Sequence, residues 1–103
     1  FTPTEILTAW EAGADIVKVF PADVLGPAFF RAVRAPLPQV RLMPTGGVDL
    51  KTAADFLNAG AVCLGVGGQL VDAKLIAAGK FAELTSRAAE YAAIVQKFRA
   101  RGN

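Results

Sequence analysis

The sequence predicts an α/β fold built on a parallel sheet. Short apolar segments of strand length alternate with longer amphipathic segments, which is the order of parallel strands joined by right-handed helical crossovers. Hydrophobic residues make up 53% of the chain and charged residues 19%, a balance that favours a covered core over disorder. At 103 residues the chain is one domain at most, which we assign to residues 1–103.

The first helix and first strand have clear boundaries. Thr2, Pro3 and Glu5 stand in the order of a capping box with proline at the first helical position. Gly13 is expected to end the helix in a left-handed conformation. Residues 15–20 follow and predict the first strand, since all of residues 16–20 except Lys18 are apolar.

The next two units repeat this order. A loop at residues 21–26 and a short helix at 27–34 precede a second strand at 40–43. Asp49 is expected to cap the following helix, and residues 61–66 predict a third strand. After a short helical segment at 71–78, a long helix is predicted from a stripe of residues three or four apart: Phe81, Leu84, Ala88, Tyr91, Val95 and Phe98.

The number of strands indicates that the sheet is incomplete. Three strands are too few to close a barrel, and the chain opens on a helix with no strand before it. We therefore expect residues 1–103 to form the C-terminal part of a larger barrel.

Composition excludes several classes of function. The formal net charge is only +2, and part of it lies at the C-terminus in Lys97, Arg99 and Arg101, which fits a solvated helix end better than a nucleic-acid surface. No apolar run approaches the ~18 residues of a membrane span, and no signal peptide is visible. We expect neither nucleic acid nor membrane as a partner.

The reactive residue types are few. Cys63 is the single cysteine and lies in an apolar run, so a buried structural thiol and a reducing, cytoplasmic setting are expected. The chain has no histidine, which removes Ser-His and Cys-His nucleophile pairs and leaves no obvious metal cluster. We expect neither a metal nor a cofactor.

One lysine stands out from this background. Lys18 lies in the apolar segment 16–20, which reads as a strand buried on both faces, where a charge is costly. Such a lysine reaches the rim of the sheet, pairs with an acid such as Asp15 or Asp23, or is kept partly neutral by desolvation. A neutral amine is a nucleophile able to form a Schiff base, and Phe20, on the same strand face, would wall a small carbonyl substrate.

Two glycine-rich turns follow the later strands. Pro44, Thr45, Gly46 and Gly47 end the second strand, and the glycines within residues 65–68 end the third. Paired glycines let backbone N–H groups approach a phosphate closely, and the Thr45 hydroxyl adds a donor. Barrels often build a phosphate site from their last two strand-to-helix loops, so the two turns together favour phosphate binding over ordinary turn chemistry.

These motifs resemble a known family. The segments 17–22, 44–48 and 65–68 are similar, in order and spacing, to the 2-keto-3-deoxy-6-phosphogluconate and 4-hydroxy-2-oxoglutarate aldolases. The resemblance implies a trimeric class I aldolase with a TIM-type (β/α)8 barrel, of which this chain is roughly the last half. The implied enzyme is a lyase of carbohydrate metabolism that cleaves a keto-acid phosphate to pyruvate and glyceraldehyde 3-phosphate. It further implies that Lys18 forms the Schiff base, and that Phe20 packs on the pyruvyl group.

The resemblance also assigns the phosphate and shows two departures. It implies that the loop from Thr45 to Gly47 and the pair Gly67 and Gly68 hold the phosphate, and some members carry a serine at the position of Gly68. The family's acid/base glutamate and carboxylate-binding arginine come from earlier strands that this chain does not contain. Loss of the proton shuttle lowers a rate by roughly a hundred to ten thousand times, so little activity is expected of the chain alone.

Two alternatives remain open at this point. In one, Lys18 is structural and the chain is a non-catalytic half-barrel that binds a phosphorylated ligand. In the other, the chain is a barrel fragment that must oligomerise to cover its open sheet edges.

Overall fold

The structure, a computed structural model, describes residues 1–101. It confirms an α/β fold with parallel strands. Within these residues, no helix has the length and apolar character needed to cross a membrane. In chain order the elements are α1 (Pro3–Glu11), β1 (Val17–Val19), α2 (Ala22–Arg34), β2 (Leu42–Pro44), α3 (Ala53–Asn58), α4 (Ala73–Ala77) and α5 (Phe81–Arg99).

The sheet consists of two parallel strands. Val17 lies opposite Leu42, and Val19 lies opposite Pro44 at the carboxyl end of the pair. Successive residues of a strand point to opposite faces, so Val17 and Val19 are buried in the core while Lys18 between them is exposed. One face of the sheet is therefore covered by helices, and the other is open among the described residues.

The predicted third strand is not formed as a ladder. The segment 61–66 joins β2 through an isolated parallel bridge between Thr45 and Gly65. The N–H groups of Val62 and Gly65 donate to carbonyl groups of β2 at 3.0 and 2.9 Å. A parallel ladder uses alternate residues, whereas these two donors stand three positions apart. The prediction of three paired strands is therefore wrong for the described part of the chain, and this segment follows the sheet edge out of register.

The start of α1 matches the prediction. The N–H of Glu5 donates to the Thr2 hydroxyl oxygen at 3.2 Å, and the N–H of Thr2 donates to the Glu5 carboxylate at 3.1 Å. Hydrogen bonds from the Thr2 hydroxyl and backbone, in that order, lower the pKa of Glu5. Gly13 follows the helix with φ of 106°, in the left-handed region that a glycine adopts without strain.

The second helix is longer than predicted. It spans Ala22–Arg34, but Gly26 interrupts it with φ of 76° and ψ of 168°. Pro27 then starts the part that the sequence predicted, at the position where a proline is favoured. The residues before Gly26 form a helical turn, so the predicted loop at 21–26 is wrong: the break is confined to one glycine.

Asp49 acts one turn earlier than predicted. Helix α3 begins after Thr52, which is its N-cap. The Asp49 carboxylate accepts the N–H groups of Lys51 and Thr52, both at 2.9 Å, and so holds the turn that leads into the helix. The hydrogen bond from the Thr52 backbone is the main reason that the pKa of Asp49 lies below its usual value.

The core lies between the covered face of the sheet and the first three helices. Phe30 of α2 and Phe56 of α3 meet edge to face, with ring centroids 5.3 Å apart, and are 0% and 1% exposed. Ile6 of α1 and Leu42 of β2 complete the same cluster. This packing fixes the strands and therefore the loops at their carboxyl ends.

The last helix buries only part of its predicted stripe. Tyr91 is buried, whereas Phe81 is 58% exposed and Ala88 is also exposed. The preceding helix α4 has no buried residue. Cys63, expected to be buried, is only partly so, although desolvation still raises the pKa of its thiol.

Candidate functional site

The loops after β1 and β2 are tied together at the carboxyl ends of the strands. The N–H of Thr45 donates to the carbonyl of Val19 at 3.0 Å, and the N–H of Ala22 donates back to the carbonyl of Thr45 at 2.8 Å. The N–H of Asp23 donates to the carbonyl of Gly46 at 3.0 Å. These bonds extend the sheet register into the loops and hold the predicted site residues next to one another.

Lys18 is exposed, contrary to the prediction that it is buried. It shares the open sheet face with Ile16 and Phe20, which are 38% and 57% exposed. The sequence pattern resembled a strand buried on both sides, but only the face of Val17 and Val19 is covered by helices in the described residues.

The amine of Lys18 contacts an aromatic ring and no acid. Its Nζ lies 5.6 Å from the centroid of the Phe20 ring, within the range of a cation–π interaction. Neither Asp15 nor Asp23 forms a salt bridge with it among residues 1–101. Of the alternatives that the sequence left open, the ion pair is therefore absent from the described structure.

The Phe20 ring also touches the glycine loop, which we define as residues 46–47. A Cβ atom placed on Gly46 would lie 2.9 Å from ring carbons Cδ2 and Cε2 of Phe20. Gly46 also has φ of 95°, which side-chain-bearing residues rarely adopt. Glycine is required here on both grounds, and one ring thus connects the amine of Lys18 to the start of the glycine loop.

The second glycine of the loop faces an acid. Gly47 has φ of 70°, and a Cβ atom on it would lie 2.5 Å from Cγ and 2.6 Å from Oδ2 of Asp23. The sequence predicts Asp23 only as a possible partner for Lys18 and gives no indication of this contact with Gly47. The only available signal was the presence of an acid in the loop that follows β1, on the same sheet edge as the glycines.

The glycine loop presents free backbone donors. Among residues 1–101, the N–H groups of Gly46 and Gly47 donate to no acceptor, and neither residue is buried. Consecutive free N–H groups in a loop before a helix are the arrangement that binds oxyanions. Pro44, by contrast, is buried and ends β2 opposite Val19, so its role in the structure is to set the position of this loop.

Thr45 has an unpartnered hydroxyl. Its Oγ1 is buried and has no hydrogen-bond partner among the described residues. It lies directly against Gly65, where a Cβ atom would overlap it. A buried hydroxyl without a partner is uncommon and marks a place where a ligand or water is needed.

The second glycine pair is set apart from this group. Gly67 and Gly68 are exposed, and a Cβ atom on either would meet nothing within 4 Å. The carbonyl of Gly67 accepts the N–H groups of Leu70 and Val71, both at 2.9 Å, in the turn that leads to α4. The structure brings together Lys18, Phe20 and residues 44–47, and Gly67 and Gly68 follow shortly after Gly65, which is bridged to Thr45.

The candidate site is an open surface and not a closed pocket. Two grooves of about 380 and 370 Å³ lie elsewhere: Cys63 and Val95 are among the residues that line the first, and Lys51 and Arg87 among those that line the second. Neither groove includes Lys18 or the glycines. Within residues 1–101 no group of three or more His, Cys, Asp or Glu residues is arranged to hold a metal ion.

Comparison with known proteins identifies the family. The family model described as KDPG and KHG aldolase matches residues 1–87. A 2-dehydro-3-deoxy-phosphogluconate aldolase from Treponema pallidum is 40% identical over 84 residues, which is 81% of this chain and 40% of that protein. A 2-dehydro-3-deoxy-6-phosphogalactonate aldolase from Escherichia coli is 36% identical over 99 residues, covering 95% of this chain and 45% of that protein.

The fold comparison agrees with the sequence comparison. A solved native KDPGal structure superposes with a TM-score of 0.82 and 32% identity, covering 96% of this chain and 47% of that one. The chain thus spans less than half the length of these relatives. The family match covers most of the chain, including Lys18, Phe20 and both glycine turns, and the chain belongs to the KDPG and KHG aldolase family.

Proposed function

We propose that this chain carries the Schiff-base lysine and phosphate loop of a class I aldolase, a lyase that converts 2-keto-3-deoxy-6-phosphogluconate-type substrates to pyruvate and glyceraldehyde 3-phosphate. The observation that carries the proposal is the contact series at the carboxyl edge of the sheet. Lys18 Nζ lies over the Phe20 ring at 5.6 Å, and that ring contacts Gly46 of a loop with free N–H donors. An amine, an apolar wall and an anion site thus follow one another on one surface.

In the proposed reaction, the neutral amine of Lys18 adds to the keto carbonyl, and loss of water gives an iminium ion. The carbon–carbon bond between the α carbon and the hydroxyl-bearing β carbon then breaks: its electron pair forms the enamine double bond as the iminium π electrons move to nitrogen, and the β hydroxyl loses its proton as the aldehyde leaves. Protonation of the resulting enamine and addition of water release pyruvate and restore the amine. No side chain near Lys18 in the described structure is assigned to the proton transfers.

Phe20 is proposed to contribute to the reaction in two ways. Its ring supplies an apolar surface for the pyruvyl methyl group, and it excludes water from one side of the amine. Because the nucleophile is the neutral amine, further cover over the open face formed by Ile16, Lys18 and Phe20 favours reaction.

The phosphate end of the substrate is proposed to bind the glycine turns. The free N–H groups of Gly46 and Gly47 support the first turn, and the unpartnered Thr45 hydroxyl lies in the residue before it. Gly67 and Gly68 are proposed to contribute from the neighbouring turn, where exposed backbone is accessible to an anion.

The half-barrel organisation and the oligomeric state are also proposals. We propose that residues 1–103 form the C-terminal half of a (β/α)8 barrel and that the assembly is a trimer, as the resemblance implies. Support comes from the uncovered face of Ile16 and Phe20 and from the unpaired outer edge of the segment 61–66. The lone Cys63 supports the further proposal of a reducing, cytoplasmic setting.

Deuterium exchange into pyruvate tests the catalytic proposal. A Schiff base at Lys18 forms the enamine reversibly, so the chain in D2O should remove the pyruvate methyl proton signal faster than buffer does. Lys18→Met should abolish this excess rate, whereas Lys51→Met, at another exposed lysine, should leave it unchanged. An excess rate that survives Lys18→Met would contradict the proposal.

A second candidate is a phosphate-binding half-barrel without catalysis. The exposure of Lys18 favours it, because in the described residues the amine lies on an open face and not in a water-excluded pocket. Saturable phosphate binding at the glycine loop together with no excess methyl exchange would support this alternative over the aldolase.

A further inference from the structure

The acid beside the glycine loop bears on which ligand that loop prefers. The Asp23 side chain lies against Gly47 so closely that a Cβ atom on Gly47 would meet its Oδ2 at 2.6 Å. The loop N–H groups that could bind an oxyanion therefore have a carboxylate as an immediate neighbour. A formal negative charge beside the loop opposes a second one bound there.

The position of Asp23 is held by the backbone. Its N–H donates to the carbonyl of Gly46 at 3.0 Å, so the residue is tied across the two loops. Its Oδ1 accepts the N–H of Val24 at 3.0 Å at the start of α2. Neither carboxylate oxygen bonds to the free N–H groups of Gly46 or Gly47, so the charge is near the loop without occupying its donors.

No cation offsets this carboxylate among the described residues. Asp23 forms no salt bridge there, and the amine of Lys18 lies over the Phe20 ring. An ionised carboxylate accepts hydrogen bonds and donates none. It therefore favours a ligand group that carries a hydroxyl hydrogen and disfavours a dianion that carries only acceptors.

We propose that Asp23 is a specificity-determining residue that weakens binding of dianionic phosphate at the glycine loop and favours a hydroxyl-bearing or singly charged group there. This inference rests on the proposed function, because it assumes that the loop is the oxyanion site. Repulsion between two unit charges a few ångströms apart in water changes an equilibrium by about fivefold. Phosphate carries more than one charge, but salt screens the interaction, so about fivefold remains the expected effect near physiological ionic strength.

Glycine-selective NMR gives the test. The chain has 10 glycines, so labelling only glycine nitrogen yields few signals, and the Gly46 and Gly47 amides are followed during a titration with inorganic phosphate. Asp23→Asn keeps the shape of the side chain and removes the charge. It should lower the dissociation constant for phosphate by about fivefold, and this gain should shrink as sodium chloride is added. Asp23→Ser removes the same charge in a smaller side chain and should have an effect of the same direction.

Asp15→Asn is the matched control. Asp15 is exposed, precedes β1, and so lies at the opposite end of the parallel strands from the glycine loop. If Asp15→Asn tightens phosphate binding as much as Asp23→Asn does, the effect comes from the net charge of the chain and not from Asp23, and the inference is overturned. If the wild type binds phosphate and neither Asp23→Asn nor Asp23→Ser changes the dissociation constant, the inference about Asp23 is overturned. The assignment of the loop as a phosphate site is then retained. Absence of phosphate shifts at Gly46 and Gly47 in all four proteins overturns the phosphate loop and the inference with it. Binding that appears only in the two Asp23 variants supports the inference.

Discussion

Replacing Gly46 by alanine is expected to destabilise the chain more than the same change at Gly13. Both glycines have positive φ, 95° at Gly46 and 106° at Gly13. At Gly13 the added methyl group meets nothing within 4 Å, whereas at Gly46 it meets two ring carbons of Phe20 at 2.9 Å and the Cα of Pro21 at 3.2 Å. The pair of variants therefore separates backbone strain from the contact.

The expected magnitude follows from these contacts. The positive φ costs each variant about 1–2 kcal/mol in the free energy of unfolding. Phe20 is 57% exposed, so its ring can swing into solvent instead of forcing the backbone apart. The ring then loses its contact with the Lys18 ammonium, which at an exposed site is worth about 0.5–1 kcal/mol. Gly46→Ala should exceed Gly13→Ala by about that amount.

Urea unfolding of the two variants measures the difference, and aromatic NMR reports the Phe20 ring. The ring signals, assigned with Phe20→Leu, should shift in Gly46→Ala and stay in place in Gly13→Ala. Equal destabilisation of the two variants with an unshifted Phe20 ring would refute the contact between the glycine loop and the aromatic wall.

Three further outcomes are expected. Phe30→Ala should lower the unfolding free energy by about 3–5 kcal/mol, because Phe30 is fully buried, and the exposed Phe20→Ala by less than about 1 kcal/mol; similar urea midpoints for the two would contradict the core described above. The lowered pKa of Glu5 means that its contribution to the cap of α1 is complete above the unfolded-state pKa of glutamate and is lost as pH falls through the lower, folded-state value. Helicity measured by circular dichroism should therefore fall with acid in the wild type, and this component should be absent in Thr2→Ala. Light scattering at low micromolar concentration should detect self-association, since Ile16 and Phe20 leave an apolar face uncovered; a strictly monomeric species with a cooperative melt would count against an incomplete sheet.

Local features of the fold could be predicted from the sequence. The capping box of Thr2 and Glu5 and the end of α1 at Gly13 depend on residues a few positions apart, and the structure has both. The break at Gly26 was assigned to a whole loop, because a glycine signals a break without fixing how far it extends.

Features that depend on distant segments were harder to predict. The burial of Lys18 depends on what covers the second face of the sheet, and an apolar strand pattern does not reveal whether that cover is present. The prediction of a third paired strand was wrong for a related reason. The register of segment 61–66 with β2 depends on the spacing of Val62 and Gly65, and the composition of the segment does not reveal it.

The candidate site shows the same division. The order of Lys18, Phe20 and the two glycine turns was sufficient to suggest the family, which the match over residues 1–87 then established. The contact of Asp23 with Gly47 and the unpartnered hydroxyl of Thr45 join residues from different loops. Only three-dimensional proximity reveals such contacts.

Borohydride trapping of the chain with pyruvate is the decisive experiment for Lys18 as the Schiff-base residue. Reduction fixes the imine as a stable secondary amine, and peptide mass mapping identifies the modified lysine. We expect the adduct on Lys18, none on Lys51 or Lys74, and none on the peptide of Lys18→Arg, although all three lysines are exposed. Equal labelling of the three lysines, or no labelling of Lys18 in a folded sample, would contradict the assignment of Lys18 as the nucleophile.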